Sequence, residues 1–245
     1  MLDSRARVTM TLHLGQQALQ GENSAVAMMV AEEILDEEPD NAEALLLLCE
    51  SAMRCGHAPL ALVVAGQLTA RGVVRPTLTA AALLAGARAD EALAVADTAV
   101  GLAPSDARAH AIRGQALELL GRIDEADEAL AMAARIDPRR YPPPFVLDDW
   151  ETILLEALSG LTDQDRADAR TLPVTFDDTP TLAWLTETGR PFPPVPPTAF
   201  GGPGSGGVVL YRRNLVRGAD TAAEVVERIR TVVVDELAAR RETLD

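Results

Sequence analysis

A repeat with a period of 34 residues constrains the fold of this chain more than any other feature. The tripeptide Asp90-Glu91-Ala92 recurs as Asp124-Glu125-Ala126, and Pro104 recurs as Pro138, each 34 positions later. A unit of this length holds two antiparallel helices, and it buries its apolar face only by stacking on its neighbours. The spacing therefore predicts an α-solenoid over residues 1–140.

This period and its residues resemble the tetratricopeptide repeat (TPR) family. The resemblance predicts units near 8–40, 41–74, 76–105 and 106–140. Pro39 and Pro104 are 65 residues apart, three short of two periods, so the third unit is expected to lack about one helical turn. Small residues at helix crossings and prolines that end helices are the predicted packing positions. They are Gly15, Ala27, Pro39, Gly56, Ala61, Ala92, Pro104, Gly114, Gly121, Ala126 and Pro138.

Charge limits the possible partners. The net charge of −15 argues against binding nucleic acid or anionic lipid, since both are polyanions. The TPR resemblance implies a concave groove that receives a peptide or helix, and an acidic groove would prefer a basic or apolar segment. The alternative is that the repeats only join domains or pack against their own chain. The chain has no Lys, so a Lys-based clamp for an acidic tail is not expected.

The expected location is the bacterial cytosol. The N-terminus lacks the apolar core of a signal peptide, and no stretch approaches the roughly 20 apolar residues of a membrane span. Cys49 and Cys55 are predicted to lie on different faces of one helix, too far apart for an easy disulfide. With His57 they do not match a structural zinc pattern, so packing roles are expected for them.

After a Pro-rich hinge at 141–147, the pattern changes to mixed helices and strands over 148–245. Helical spacing predicts a helix over 148–161, with Asp148 or Asp149 as its cap, and another over about 221–242. Alternation of Leu172, Val174 and Phe176 predicts a half-buried strand. The remaining predictions are a short helix from residue 179, a Pro/Gly-rich loop at 189–207 and a strand at 208–215. The loop lacks the frame of a nucleotide-binding motif.

The order of these elements, with the segments LPVTFDDTP, VVLYRRNL and IRTVVVDELA, resembles the small bacterial zincin-like metallopeptidase family. The resemblance covers residues 145–245, and it implies a small α+β domain whose last helix carries H-E-x-x-H. Here Asp235 and Ala239 occupy the two histidine positions around Glu236. Alanine has no donor atom, and all three histidines lie before residue 111. No metal, no cofactor and no catalysis are therefore expected.

Two groups of residues remain as candidates in this half. Glu236 is expected to be a helix-surface carboxylate that pairs with Arg240 or Arg241. Tyr211, Arg212 and Arg213 are possible contacts for an acidic partner, and the alternative is that the arginines only balance neighbouring acids.

The sequence thus predicts an α-rich chain, a TPR solenoid followed by a degenerate zincin-like domain. Its predicted function is a non-catalytic adaptor or scaffold that holds a protein or peptide partner, with self-association possible. Two alternatives stay open: a metallopeptidase with an unconventional site at Asp235 and Glu236, and a secretion or assembly chaperone.

Overall fold

The computed structural model describes residues 4–143, 146–182, 199–200 and 207–242. The chain divides into two compact units. Among these residues, the first unit holds 4–137 with 181–182, and the second holds 138–143, 146–180, 199–200 and 207–242. Leu182 packs against an apolar cluster of the first unit, and the second domain at 148–245 stays a prediction. The predicted loop before Gly207 and the predicted short helix after Leu182 lie outside the described residues.

The first unit is a solenoid of helix pairs. Its helices are α1 (Ser4–Gln20), α2 (Ser24–Glu37), α3 (Ala42–Arg54), α4 (Ala58–Ala70), α5 (Pro76–Ala85), α6 (Ala89–Leu102), α7 (Ala107–Leu119) and α8 (Ile123–Ile136). Each helix packs against the next, and α1, α3, α5 and α7 also contact one another in series. The first helices of the pairs therefore form one continuous inner layer, and the prediction of an α-rich solenoid is confirmed.

The turn inside each pair carries a residue with positive φ. These residues are Glu22, Gly56, Ala87 and Gly121, which are 34, 31 and 34 positions apart. Positive φ reverses the chain at the end of a helix, and glycine adopts it at the lowest cost. The three-residue deficit seen in the sequence therefore falls between the second and third turns. It corresponds to α5, which has 10 residues where α3 and α7 have 13.

Local capping fixes several helix starts. The side chains of Asn23, Asn41 and Asp106 accept hydrogen bonds from backbone N–H groups in the first turns of α2, α3 and α7. Proline stands in the first turn of α4 and of α5, where no intrahelical N–H partner is needed. No helix in the described ranges is long and apolar enough to cross a lipid bilayer.

The second unit combines helices with a small sheet. Its described elements are α9 (Trp150–Ser159), α10 (Asp163–Ala169), β1 (Val174–Asp177), β2 (Ala199–Phe200), β3 (Val208–Tyr211), α11 (Arg212–Val216) and α12 (Ala222–Glu242). The strand order is β1-β3-β2, with β1 parallel and β2 antiparallel to β3. Asp149 caps α9 by accepting from the Thr152 N–H at 2.9 Å.

The core of this unit lies between the sheet and its helices. Ile153 and Ala157 of α9 pack with Val208 and Leu210 of β3 and with the apolar stripe of α12. The predicted strand at 208–215 is wrong in its second half, because the chain turns into α11 directly after Tyr211. The Arg213 N–H donates to the Asp178 carbonyl at 3.2 Å, which holds the start of α11 beside the end of β1.

Candidate functional site

A groove of about 790 Å³ opens along the inner layer of the first unit. One face of α3 contributes Glu43, Leu46, Leu47, Glu50 and Arg54. The remaining lining comes from the end of α1 and from the starts of α5 and α7, at Gln16, Leu19, Gln20, Val74, Arg75, Pro76, Thr77, Leu78, Asp106 and Arg108. The groove therefore has an apolar floor and a polar rim, which is the usual character of a recognition site.

The shortened helix α5 accounts for the position of this groove. When the turn residues Gly56 and Ala87 are aligned, residues 73–75 take the place of the first three residues of α3. Since these residues are not helical, the inner layer has a notch before Pro76. Arg108 of α7 reaches past the notch to the carboxylate of Glu50 on α3, at 2.9 Å. The notch is therefore part of the groove wall.

The charges of the lining are balanced, with three acidic residues and three arginines. Glu50 is paired with Arg108, and Asp106 caps α7 while accepting from the Thr77 hydroxyl at 2.8 Å. The Arg54 guanidinium donates to the Leu19 carbonyl at 2.8 Å but has no carboxylate partner among the described residues. The expectation of an acidic groove, taken from the net charge, is therefore wrong for this surface.

Besides Arg54, two exposed charges in the groove have no side-chain partner among the described residues, Arg75 beside the notch and Glu43 on α3. Sequence reasoning did not single out either residue. The signal available in the sequence was the three-residue deficit before Pro104, because it marks the helix pair in which the inner helix is shorter.

The predicted packing residues take two kinds of position. Ala27, Ala61, Ala92 and Ala126 are fully buried. A Cβ at Gly15 would lie 2.8 Å from Val30 Cγ1, and one at Gly114 would lie 2.7 Å from Leu130 Cγ. These six positions allow close approach of helices.

The other five predicted packing residues lie in the turn inside a helix pair or just after the second helix of a pair. Gly56 and Gly121 have φ of +77° and +72°, and a Cβ there would meet nothing within 4 Å. Their role is the left-handed turn rather than close helix packing. Pro39, Pro104 and Pro138 each follow the capping residue of a second helix, where no further helical hydrogen bond is required.

The degenerate motif of the second unit lies on α12. Asp235 is exposed and Ala239 is half-buried, whereas Glu236 is only 6% exposed. The prediction that Glu236 is a surface carboxylate is therefore wrong. Its Oε1 accepts a hydrogen bond from Arg240 Nε at 2.7 Å, one helical turn on. Arg241 instead binds Asp165 and Asp168 of α10.

The three possible partner contacts lie at the end of β3. Tyr211 is only 4% exposed, so its prediction as a partner contact is wrong. Burial, and secondly the charge of Asp177, raise the pKa of its hydroxyl. Arg212 binds Asp178 at 3.1 Å and lies over the Phe176 ring at 5.4 Å. Arg212 and Arg213 stand on α11 rather than on a strand, and both are half-buried.

The cysteines and histidines of the first unit have packing and turn positions. Cys49 is buried and its thiol donates to the Ala61 carbonyl at 3.4 Å. Burial raises the pKa of this thiol to about 12, so it is protonated at neutral pH. His57 begins α4, and the buried His110 lies with its Nε2 3.0 Å from the Pro104 carbonyl oxygen. Within the described ranges, no three His, Cys, Asp or Glu side chains converge as metal ligands.

The solved structures that are similar to this chain match a little more than half of it. No protein-family profile matches the chain, and no curated protein is a significant match. Similar solved structures include TTC0263, a thermophilic TPR protein of Thermus thermophilus, at 26% identity and a TM-score of 0.49, covering 53% of this chain and 74% of that one. MamA from Desulfovibrio magneticus RS-1 is 24% identical with a TM-score of 0.45, covering 54% and 76%. A third, MamA MSR-1, is 23% identical with a TM-score of 0.45, covering 57% and 82%.

The helix pairs, their turn spacing and their small buried residues are the structural features of the first unit that correspond to TPRs. The first unit of this chain is an α-solenoid of helix pairs that resembles the TPR fold.

Proposed function

We propose that this protein is a non-catalytic adaptor whose groove holds a segment of a protein partner. The observation that carries the proposal is the groove itself, an open volume of about 790 Å³ with leucines on its floor. Its walls belong to packed helices of the solenoid, so the site is preformed and binding requires little ordering of the protein.

The unpaired charges indicate the chemistry of that segment. Arg54 and Arg75 have no carboxylate partner among the described residues, against the single unpaired acid Glu43. A segment with apolar side chains for Leu46 and Leu78 and a carboxylate near Arg75 satisfies both features. The carboxylate of this segment differs from the basic or apolar segment expected from the net charge, because complementarity is decided by the local groove charges.

Reversing the charge of Arg75 is expected to weaken this binding by about tenfold or more. The partner would be captured from a cell extract with the full chain, identified by mass spectrometry, and its binding segment synthesised. Titration calorimetry would then compare the wild type with Arg75→Glu and Glu43→Arg, and we expect the second variant to bind more tightly.

Arg135→Glu is the matched control for this experiment. Arg135 is exposed in the last turn of α8 and does not line the groove, so the same charge reversal should leave the affinity unchanged. Equal affinities for Arg75→Glu and Arg135→Glu would show that the partner does not use the groove.

We further propose that the second unit is a small α+β domain of the zincin-like type that has lost its metal and its activity. The order of α9, β1, β3 and α12 is compatible with the family resemblance of its sequence. The ion pair between Glu236 and Arg240 supports the loss of activity, because a general base must be available to a water molecule.

A hydrolysis assay tests this second proposal. The purified chain is expected not to cleave a fluorogenic protein substrate, with added Zn²⁺ or with a chelator, and Glu236→Gln should be indistinguishable from the wild type. Metal-dependent cleavage that is lost in Glu236→Gln would instead establish a peptidase.

A further inference from the structure

Helix α5 divides the apolar interior of the solenoid into two clusters. The first cluster takes its buried residues from α1 to α4 and from one face of α5. The second cluster takes them from α6, α7 and α8 and from another face of α5. The buried α5 residues are Leu78, Ala82 and Ala85 in the first cluster and Ala80, Leu83 and Leu84 in the second. Among the described residues, no buried side chain belongs to both clusters, so the core is interrupted at this helix.

The apolar contact across this boundary is thin. Ala82 and Ala85 each present one methyl group to the first cluster, so Leu78 is the large side chain that α5 buries there. Helix α5 is also three residues shorter than α3 and α7, and it therefore lacks almost one turn of contact at its start. The half-buried residues Leu62 and Ala81 pack against both clusters and connect them.

Side-chain hydrogen bonds follow the same division. Arg54 of α3 donates to the Leu19 carbonyl of α1 at 2.8 Å and so joins the first two helix pairs. The Thr77 hydroxyl of α5 donates to the Asp106 carboxylate at 2.8 Å and so joins the third and fourth pairs. Between the second and third pairs, the described residues form no side-chain hydrogen bond. The third pair is therefore attached more firmly to the fourth pair than to the second.

The ion pair between Arg108 and Glu50 bridges this boundary without involving α5. The distance from Arg108 Nη1 to Glu50 Oε1 is 2.9 Å, so the pair joins α7 directly to α3. We call this ion pair the strap. Its two side chains are 33% and 36% exposed, and an ion pair in such contact with water is weak enough to break reversibly.

We propose that α5 is a hinge of the solenoid and that the strap holds the groove at its observed width. The groove is lined from both sides of the boundary, by Leu46 of α3 and by Arg108 of α7. A rotation about α5 therefore changes the distance between its walls, with each cluster moving as a packed body. The hinge is a property of the unbound chain, whereas its effect on partner binding rests on the proposed function.

Double electron–electron resonance on the full chain tests the hinge without a partner. Spin labels are attached at Glu43→Cys, at the start of α3, and at Ser105→Cys, just before α7, since both positions are exposed. Cys55→Ser removes the half-buried thiol, and Cys49 is buried. In this labelled chain, Glu50→Gln is expected to lengthen the mean distance by about 2 Å or more and to broaden its distribution. High salt should have the same effect with the strap intact, because it screens exposed charges.

Arg113→Gln is the matched control, since it also breaks an ion pair of α7. Arg113 Nε lies 2.7 Å from an Asp97 carboxylate oxygen on α6, and both helices belong to the second cluster. This variant should keep the original distance. The charge exchange Glu50→Arg/Arg108→Glu should restore it, because the exchange rebuilds the ion pair in the opposite sense.

A second pair of labels separates the hinge from a general loosening. Ser105→Cys and Asp90→Cys place both labels beyond α5, and their distance should not respond to Glu50→Gln. An unchanged distance between positions 43 and 105 in Glu50→Gln would overturn the proposal. An equal lengthening between positions 90 and 105 would overturn it as well. Neither outcome depends on whether Arg75→Glu weakens partner binding, so the hinge and the proposed function fail separately.

Discussion

Replacing Gly114 by valine is expected to destabilise the first unit by about 3 kcal/mol, the largest loss we expect from one substitution in the solenoid. A Cβ at this position would lie 2.7 Å from Leu130 Cγ, 2.8 Å from Leu130 Cδ2 and 3.2 Å from the Ala126 carbonyl oxygen. These atoms belong to α8, so a side chain on Gly114 forces α7 and α8 apart. Most of α7 is buried, which leaves the helix little room to shift.

Thermal unfolding monitored by circular dichroism measures this effect, with an expected fall in Tm of roughly 10 °C. Gly66→Val is the control, because a Cβ at Gly66 in α4 would meet nothing within 4 Å. Valine there should change stability by no more than about 0.5 kcal/mol, since it has a slightly better helix propensity than glycine. Similar losses for the two variants would mean that helix propensity, rather than packing between α7 and α8, governs position 114.

The repeat made the architecture of the first unit predictable from sequence. Each helix pair contacts mainly the pairs next to it, so the spacing of equivalent residues along the chain also sets the spacing of the pairs in the structure. The period of 34 and the missing turn of the third unit are therefore both found in the structure. The chemistry of the groove was not predictable in this way. Arg108 and Glu50 are 58 residues apart. Their ion pair depends on how the second and fourth helix pairs are placed on either side of the shortened third helix pair.

In the second unit, the sequence predicted helix spans better than it predicted the end of a strand. The apolar spacing placed the last helix within one residue of α12, whereas the strand predicted to Leu215 ends at Tyr211. The segment after Tyr211 contains no glycine or proline before Gly218, so no local signal marks the change. A tertiary contact, the hydrogen bond from the Arg213 N–H to the Asp178 carbonyl, accompanies the start of α11.

The position of Glu236 along the helix indicated burial, but its residue type favoured a surface position. At 100° per residue, Glu236 lies between Val232 and Val233 in angle around the helix, and so within the apolar stripe of α12. Glutamate is rarely buried unless it is paired, so a surface position was expected. The partner, Arg240, was correctly identified as a candidate, and the pair accounts for how the stripe accommodates a carboxylate.

Replacing Arg240 by methionine is expected to destabilise the second unit by about 3 kcal/mol at neutral pH. The substitution leaves the Glu236 carboxylate buried without its ion pair, and an uncompensated buried charge is one of the most costly changes in a folded protein. Methionine has a similar length and a good helix propensity, so loss of packing contributes little. Chemical denaturation followed by tryptophan fluorescence measures the change, because Trp150 packs with Phe176 at the edge of the same core.

The reverse substitution separates the effect of charge from that of the contact. The Arg240 side chain is 30% exposed, whereas that of Glu236 is only 6% exposed, so Glu236→Met should cost less, about 1 kcal/mol. The double variant Glu236→Met/Arg240→Met should be close to the wild type, since an apolar pair within an apolar stripe requires no compensation. If the double variant is less stable than Arg240→Met, the ion pair stabilises the second unit through its specific geometry. The expected order instead places the cost in the unpaired carboxylate, and the ion pair is then what allows a glutamate to be buried in this helix.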